Sequence, residues 1–468
     1  MMFCMKKLLS LVALVSFVSV GCGISDLEAW TIRMTCRSKG REIELCKQAI
    51  DEWVRMHKGK HKVEIVTLPH ASNECFALYQ QWLSAETFDV DIMQMDVAWI
   101  GVFSDYLFSL DEVYQPEHID TEDYFDAVKE SMYSHDGRLI ALPWYSDCGI
   151  MYYRKDLLRK YDRNIPETWE ELYDTALYIQ NEERQNPEKR AKFHGFIFQA
   201  KAFEILTCNF LEFVDSFGGA IVHEKKAVVD SDASLNATMF MIKCIKNITN
   251  HNVLNYSEED ARGVFQSGNA VFMRNWPYAW ALVNDPSTSI AGKVGIMPIP
   301  RSKNGGKNSG NLGGWFLVVS RFSKHPDVAA DLIRFLTNKA QQKYRAKYSY
   351  LPTFKSLYHD DDILRENPFF ADVYDSLNNA VVRPSIVFGK NYSRASSEIY
   401  NAVNTILTRS TESELTESEV RNLLNRLNKK LMRLLEKTNK PAQQEENKEK
   451  DNSSGFFGKI KGFFGIKS

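Results

Sequence analysis

Apolar positions recur along this chain with two alternating periods. Thr31 to Thr35 reads as a short strand, whereas in Glu42 to His57 the residues Ile43, Cys46, Ile50, Trp53 and Val54 fall at helical spacing. Val63 to Leu68 returns to the strand pattern and Cys75 to Ala85 to the helical one. Asp91-Ile92-Met93-Gln94-Met95 then reads as a buried strand ending in Asp96. Such alternation predicts an α/β domain built on a mostly parallel sheet. Ligands of these sheets sit at the carboxyl ends of strands, where Asp96 falls. The same residue is also placed to cap a helix that starts at Val97.

Further along, Arg138 to Pro143 and Gly149 to Tyr153 read as two strands separated by Trp144-Tyr145-Ser146-Asp147. The intervening proline marks a break, taken as the crossing between two lobes. Tyr152 and Tyr153 are neighbours on a strand and point to opposite faces, which argues against a paired-tyrosinate iron site. Thr168 and Glu171 stand at capping-box spacing, and helical stretches follow over Phe203 to Ser216 and Leu235 to Thr249. Ser302 to Gly314 is a polar loop whose Gly305-Gly306-Lys307 lacks the order of a phosphate-cradling loop. Phe316 to Ser320 predicts a strand and Pro326 to Lys347 a helix. This return of the strand and helix habit predicts a first lobe from residues 30–141 plus 292–345 and a second from 142–291 plus 346–436.

The two ends differ from the middle. Lys6 and Lys7 precede the apolar run Leu8 to Val20 and the pair Gly21-Cys22, the pattern of an export signal over residues 1–21. That run is too short to span a bilayer comfortably. Near the other end, Thr416 and Glu419 form a second capping box, ahead of a stripe of Val420, Leu423, Leu424, Leu427, Leu431 and Leu434. Residues 437–454 are polar and predict a disordered linker. In 455–468, Phe456, Phe457, Ile460, Phe463 and Phe464 share one helical face with lysines opposite. That face suits a membrane or permease contact; the alternative is a tail that docks on a lobe.

The chain has 468 residues, a length that implies two or three domains. Its net charge is -2 with both signs interspersed, so nothing points to nucleic acid. The cysteines show no metal-ligand spacing, and no metal or other cofactor is expected. Export permits disulfides among Cys36, Cys46, Cys75, Cys148, Cys208 and Cys244, but the spacings leave the pairing open, buried free thiols included.

The densest chemistry lies in Arg274-Asn275-Trp276-Pro277-Tyr278-Ala279-Trp280, read with Gly313-Gly314-Trp315. Aromatics split by a proline cannot all face one side of a regular element. Each alone is a candidate core residue. Together, with a glycine pair that lets backbone approach a ligand closely, they suit a pocket with flat apolar walls and polar tips. A pyranose, with apolar faces and hydroxyls around its edge, matches such walls.

Asp91 to Phe103, Ala141 to Leu158, Pro166 to Leu172, Val264 to Trp280 and Leu312 to Ser320 together resemble the extracytoplasmic solute-binding proteins of sugar ABC importers. Within these the chain is most similar to the trehalose/maltose-binding subfamily, over about Thr31 to Leu435. The resemblance implies a type II two-lobed periplasmic-binding-protein-like α/β fold, a hinge of crossing segments and a disaccharide in the cleft. It further implies that Trp276, Tyr278 and Trp315 stack on sugar rings and that Glu42, Asp96, Tyr145 and Asp147 bind hydroxyls. Gly313 and Gly314 would offer backbone groups, and Arg383 a polar clamp. Where the subfamily carries a sugar-contacting Arg, the stretch Ser72 to Leu78 offers only Cys75, Phe76 and Ala77. The N-terminal pattern resembles a lipoprotein signal that would place lipid on Cys22, departing from it at Ser19. The implied partners are a small sugar, membrane permease subunits with a separate ATPase, and the membrane itself, for a monomeric, non-enzymatic protein. Alternatives are a binder of a glycerol-phosphodiester or glycan fragment, and a glycoside-active enzyme using Asp96 and Asp147 as its carboxylate pair.

Overall fold

The computed structural model describes residues 30–37, 41–69, 72–114, 119 and 121–438. The export signal, Cys22, the linker from residue 439 onward and the 455–468 tail lie outside the described residues. In chain order the strands are β1 (Thr31–Arg37), β2 (Lys62–Leu68), β3 (Ile92–Asp96), β4 (Leu142–Cys148), β5 (Ile150–Arg154) and β6 (His194–Ile197). The short pair β7 (Val222–His223) and β8 (Lys226–Ala227) follows, then β9 (Ala270–Asn275), β10 (Val294–Met297) and β11 (Leu312–Val319).

They form two principal sheets. The first has order β2-β1-β3-β11-β4 and the second β10-β5-β9-β6. In the first, β1 runs parallel to β2 and β3, while β11 runs antiparallel to β3 and β4. Its central strands are buried on both faces, with Ile92 to Met95 and the whole of β11 below the surface. Helices must therefore cover both sides, as expected of a doubly covered α/β sheet. On one side of the first sheet, helix Glu42–Met56 and helix Pro326–Thr337 pack against each other, with Trp53 Nε1 donating to Asp331 at 2.9 Å. In the second lobe, helices Trp169–Glu183 and Glu204–Ser216 pack together through Trp169 stacked on Phe213, ring centres 4.3 Å apart.

Several boundaries differ from those the pattern predicts. Pro143 does not break the chain; it lies inside β4, opposite Phe316. β4 is the edge of its sheet, where a strand tolerates a residue without an N–H. The crossing falls instead at Gly149, so Leu142 to Cys148 belongs to the first sheet. Conversely β10, inside the 292–345 segment assigned to the first lobe, pairs with β5 in the second sheet, Gly295 opposite Tyr153. The chain returns to the first sheet at Leu312, and Gly313 and Gly314 lie within β11 rather than in the preceding loop. The helix expected over Pro326 to Lys347 is two, parted at Asn338, whose side chain caps the second by accepting from Gln341 N at 2.9 Å. Residues 437 and 438 still belong to helix Glu417–Thr438, not to a linker. Cys36 and Cys46 form a disulfide that ties the end of β1 to helix Glu42–Met56, while Cys75, Cys148, Cys208 and Cys244 are buried free thiols.

Three chain segments pass between the sheets side by side. Gly149 N donates to Asn311 O at 3.1 Å, Leu312 N to Val381 O at 2.8 Å and Val381 N to Gly310 O at 2.9 Å. The contact is close: a Cβ on Gly310 would sit 2.1 Å from Gly149 O. Below the crossing lies a buried ion pair, Arg274 with Glu212, each side chain 2% exposed.

Candidate functional site

At the carboxyl end of the first sheet a polar cluster is built from four elements. Glu42 opens a helix, where the N-terminal dipole favours a carboxylate, and is buried. It accepts from Gln94 Nε2 of β3 and from the Tyr145 hydroxyl of β4, the latter at 3.1 Å. Gln94 in turn accepts from the Arg37 backbone N–H at 3.0 Å. Tyr145 packs edge-on to Tyr350 with ring centres 5.2 Å apart. Burial first, and then the neighbouring Glu42 charge, push the Tyr145 hydroxyl well above its ordinary pKa, so it stays a donor.

Trp315 lies beside this cluster. Its ring is covered on one face by the Arg37 guanidinium at 4.1 Å and met edge-on by Trp99 at 5.4 Å. Burial opposes the Arg37 charge, yet Tyr145 and Glu42 outweigh it and hold its pKa above the ordinary value. The first lobe therefore presents a guanidinium lying on an indole where the sequence predicts an indole alone.

Asp96 ends β3 and caps the helix that follows. It does so by accepting from Ala98 N at 2.9 Å, and it pairs with Arg383 Nη2 at 2.8 Å. Arg383 is 5% exposed and reaches Glu204 of the second lobe at 3.0 Å. Glu204 is fixed by Tyr392 at 2.5 Å and Ser396 at 2.6 Å. Arg383 is thus a clamp between lobes.

The lobes also meet at Gly313. A Cβ there would lie 3.0 Å from both Asp147 Cβ and Trp276 Cζ3, so an aspartate, a glycine backbone and an indole converge where β4 and β9 end and β11 begins. Gly314 needs its residue type as well: its φ is 114°, and an added Cβ would lie only 2.5 Å from Tyr145 O. Trp276 is held by Asn275 Oδ1 on its N–H at 2.8 Å, by the Tyr152 hydroxyl on its carbonyl at 2.8 Å, and by the Arg274 guanidinium 4.2 Å over its ring.

Tyr278 and Trp280 have partners of their own. Tyr278 donates to Glu259 at 2.6 Å within the second lobe, and Trp280 stacks on Phe369 at 5.1 Å. Of the expected residues, Glu42 and Tyr145 come together in one group and Asp147, Gly313 and Trp276 in another. Asp96 and Arg383 form a third, while Tyr278 faces Glu259 instead. Sequence reasoning missed Arg37, Gln94, Tyr350 and Glu204. Arg37 had a signal, a basic residue at the last position of a strand entering such a sheet end. Cys75 is buried and bonds to Pro69 O at 3.3 Å. Among the described residues no group of His, Cys, Asp and Glu is arranged to hold a metal, and no helix is long and apolar enough to cross a membrane.

The chain matches the family of bacterial extracellular solute-binding proteins over residues 52–371. It is 40% identical over 411 residues to a probable ABC transporter-binding protein of Deinococcus radiodurans, spanning 86% of this chain and 94% of that one. An arabinooligosaccharide-binding protein of Bacillus subtilis is 22% identical over 362 residues, 71% of this chain and 76% of the relative. Among solved structures, maltose-bound MalE3 of T. maritima superposes with a TM-score of 0.74 at 35% identity, covering 86% and 99% of the two chains. Each of these relatives is named as a binding protein or solved with its sugar bound, and none as an enzyme, so Asp96 and Asp147 are not assigned as a hydrolytic pair. The chain belongs to the bacterial extracellular solute-binding protein family, as the exported component of an ABC transporter that binds sugars or similar ligands.

Proposed function

We propose that the solute is a neutral sugar, a disaccharide such as maltose or trehalose, held between the two lobes and handed to a membrane permease driven by a separate ATPase. The observation that carries this reading is the convergence of Asp147, Gly313 and Trp276 at facing strand ends. A carboxylate accepts hydroxyl donors in short charge-assisted bonds, and an indole excludes water from them while covering an apolar sugar face. Glu42, Tyr145, Trp315 and the Arg383 clamp on Asp96 complete the polar surround, with Tyr278 beside Trp276 adding a second aromatic wall and Gly314 offering its backbone beside Gly313. Solute binding then shifts the population toward a closed form that the permease recognises. Lipid on Cys22 and the 455–468 tail tether a monomer to the membrane in this reading.

A thermal-shift panel over maltose, trehalose, sucrose, longer glucans and a glycerol-phosphodiester tests it, because a ligand of the folded state raises the melting temperature by mass action. The expected result is a saturable rise with a neutral disaccharide. A rise with the phosphodiester alone, or with nothing in the panel, rejects the proposal.

A further inference from the structure

Arg37 is the last residue of β1, and its place is set by three independent ties. Its backbone N–H donates to Gln94, its neighbour Cys36 is bonded to Cys46 in helix Glu42–Met56, and its guanidinium lies 4.1 Å over Trp315. The side chain is 8% exposed, yet among the described residues its buried Nε meets no acceptor. A desolvated donor left without a partner is costly, and such a group in a cleft calls for an acceptor from outside the protein.

The surrounding charges say which acceptor. Glu42 stands close enough to hold the guanidinium charged, and the Tyr145 hydroxyl adds to the same effect. With its charge already answered, Arg37 needs no anionic partner. Its planar fork instead fits two oxygens on neighbouring carbons. Placed over the indole, it also covers one face of Trp315 that a sugar ring would otherwise use.

Resting on the reading of the site as a sugar cleft, we infer that Arg37 binds the solute directly and sets its specificity, donating its N–H fork to adjacent hydroxyls of a neutral sugar. Ring stacking is then left chiefly to Trp276 on the opposite lobe.

Calorimetric titration of the full chain with maltose, and with monodeoxy-maltoses that each lack one hydroxyl, tests this in wild type, Arg37→Lys and Arg37→Met. The Met variant is expected to bind maltose at least about thirtyfold more weakly while still unfolding in a single cooperative transition. The Lys variant keeps the charge without the fork and is expected to lose at least about tenfold. One or two deoxy analogues should weaken wild-type binding about tenfold while changing Met-variant binding by less than about threefold, the signature of a direct contact. Maltose binding by Arg37→Met within about threefold of wild type, or deoxy penalties identical in both proteins, overturns the assignment of Arg37. Failure of the wild type to bind any neutral sugar instead overturns the sugar-cleft reading on which it rests.

Discussion

Replacing Glu212 by Gln strikes the junction of the three crossing segments. Glu212 is 2% exposed and accepts from three N–H groups at once, Arg274 Nε at 2.8 Å on one oxygen, and Arg274 Nη2 together with Asn311 N, the latter at 2.9 Å, on the other. An amide has a single acceptor oxygen, so either orientation turns an NH2 toward a donor. It also leaves the Arg274 charge buried and uncompensated, and breaking such a pair costs about 3 to 5 kcal/mol. With an unfolding entropy of about 2.1 cal/mol/K per residue, a lobe of roughly 200 residues would lose about 7 to 12 °C in melting temperature. Scanning calorimetry at neutral pH measures it. The double variant Glu212→Leu/Arg274→Met removes both charges and should recover most of the loss. A fall of less than about 2 °C in Glu212→Gln, or a double variant worse than the single one, refutes this account of the crossing.

Other consequences are checked as directly. The Cys36–Cys46 bridge closes a span of ten in sequence, so Cys36→Ser/Cys46→Ser should cost about 2 to 3 kcal/mol in urea unfolding, and reductant should do the same to wild type alone. His194 is buried and accepts from Arg184 at 3.1 Å; burial, then the Arg184 charge, lower its pKa from 6.5 to about 4. A folded-state pKa below the unfolded one means the unfolded chain takes up the extra proton. Stability from His194 is therefore full above about pH 6.5 and is lost as pH falls toward 4, by about 3 kcal/mol in all. His194→Gln should flatten the urea-midpoint profile over that window, and an unchanged slope contradicts the assignment. Thr168→Ala removes a capping box in which both reciprocal bonds are made, and should cost about 1 kcal/mol with sugar affinity unchanged.

What the sequence disclosed were features decided within a few residues. The boxes at Thr168 with Glu171 and Thr416 with Glu419 form as their spacing predicts, and the buried run ending at Asp96 is a central strand. Partner choice was not local and stayed hidden. Nothing local in Val294 to Met297 says which sheet it joins, and only its register against Met151 to Arg154 assigns it to the second. Pro143 looks like a break until β4 proves to be an edge. In the candidate site, residue types were legible while their companions were not: Trp315 advertises a flat apolar wall, but the guanidinium over it comes from β1, far away in sequence. Tyr278 sits two residues from Trp276 and still turns to Glu259, because the chain enters a helical turn there.

The central claim is that a neutral sugar is gripped where Trp276 and Asp147 meet across Gly313, and calorimetric titration of maltose and trehalose into wild type and Trp276→Ala tests it most directly. The account predicts saturable one-to-one binding of at least one of them to wild type, weakened at least about thirtyfold, or about 2 kcal/mol, by loss of the indole. Equal affinity in the two proteins, or no binding of either sugar to wild type, would contradict it.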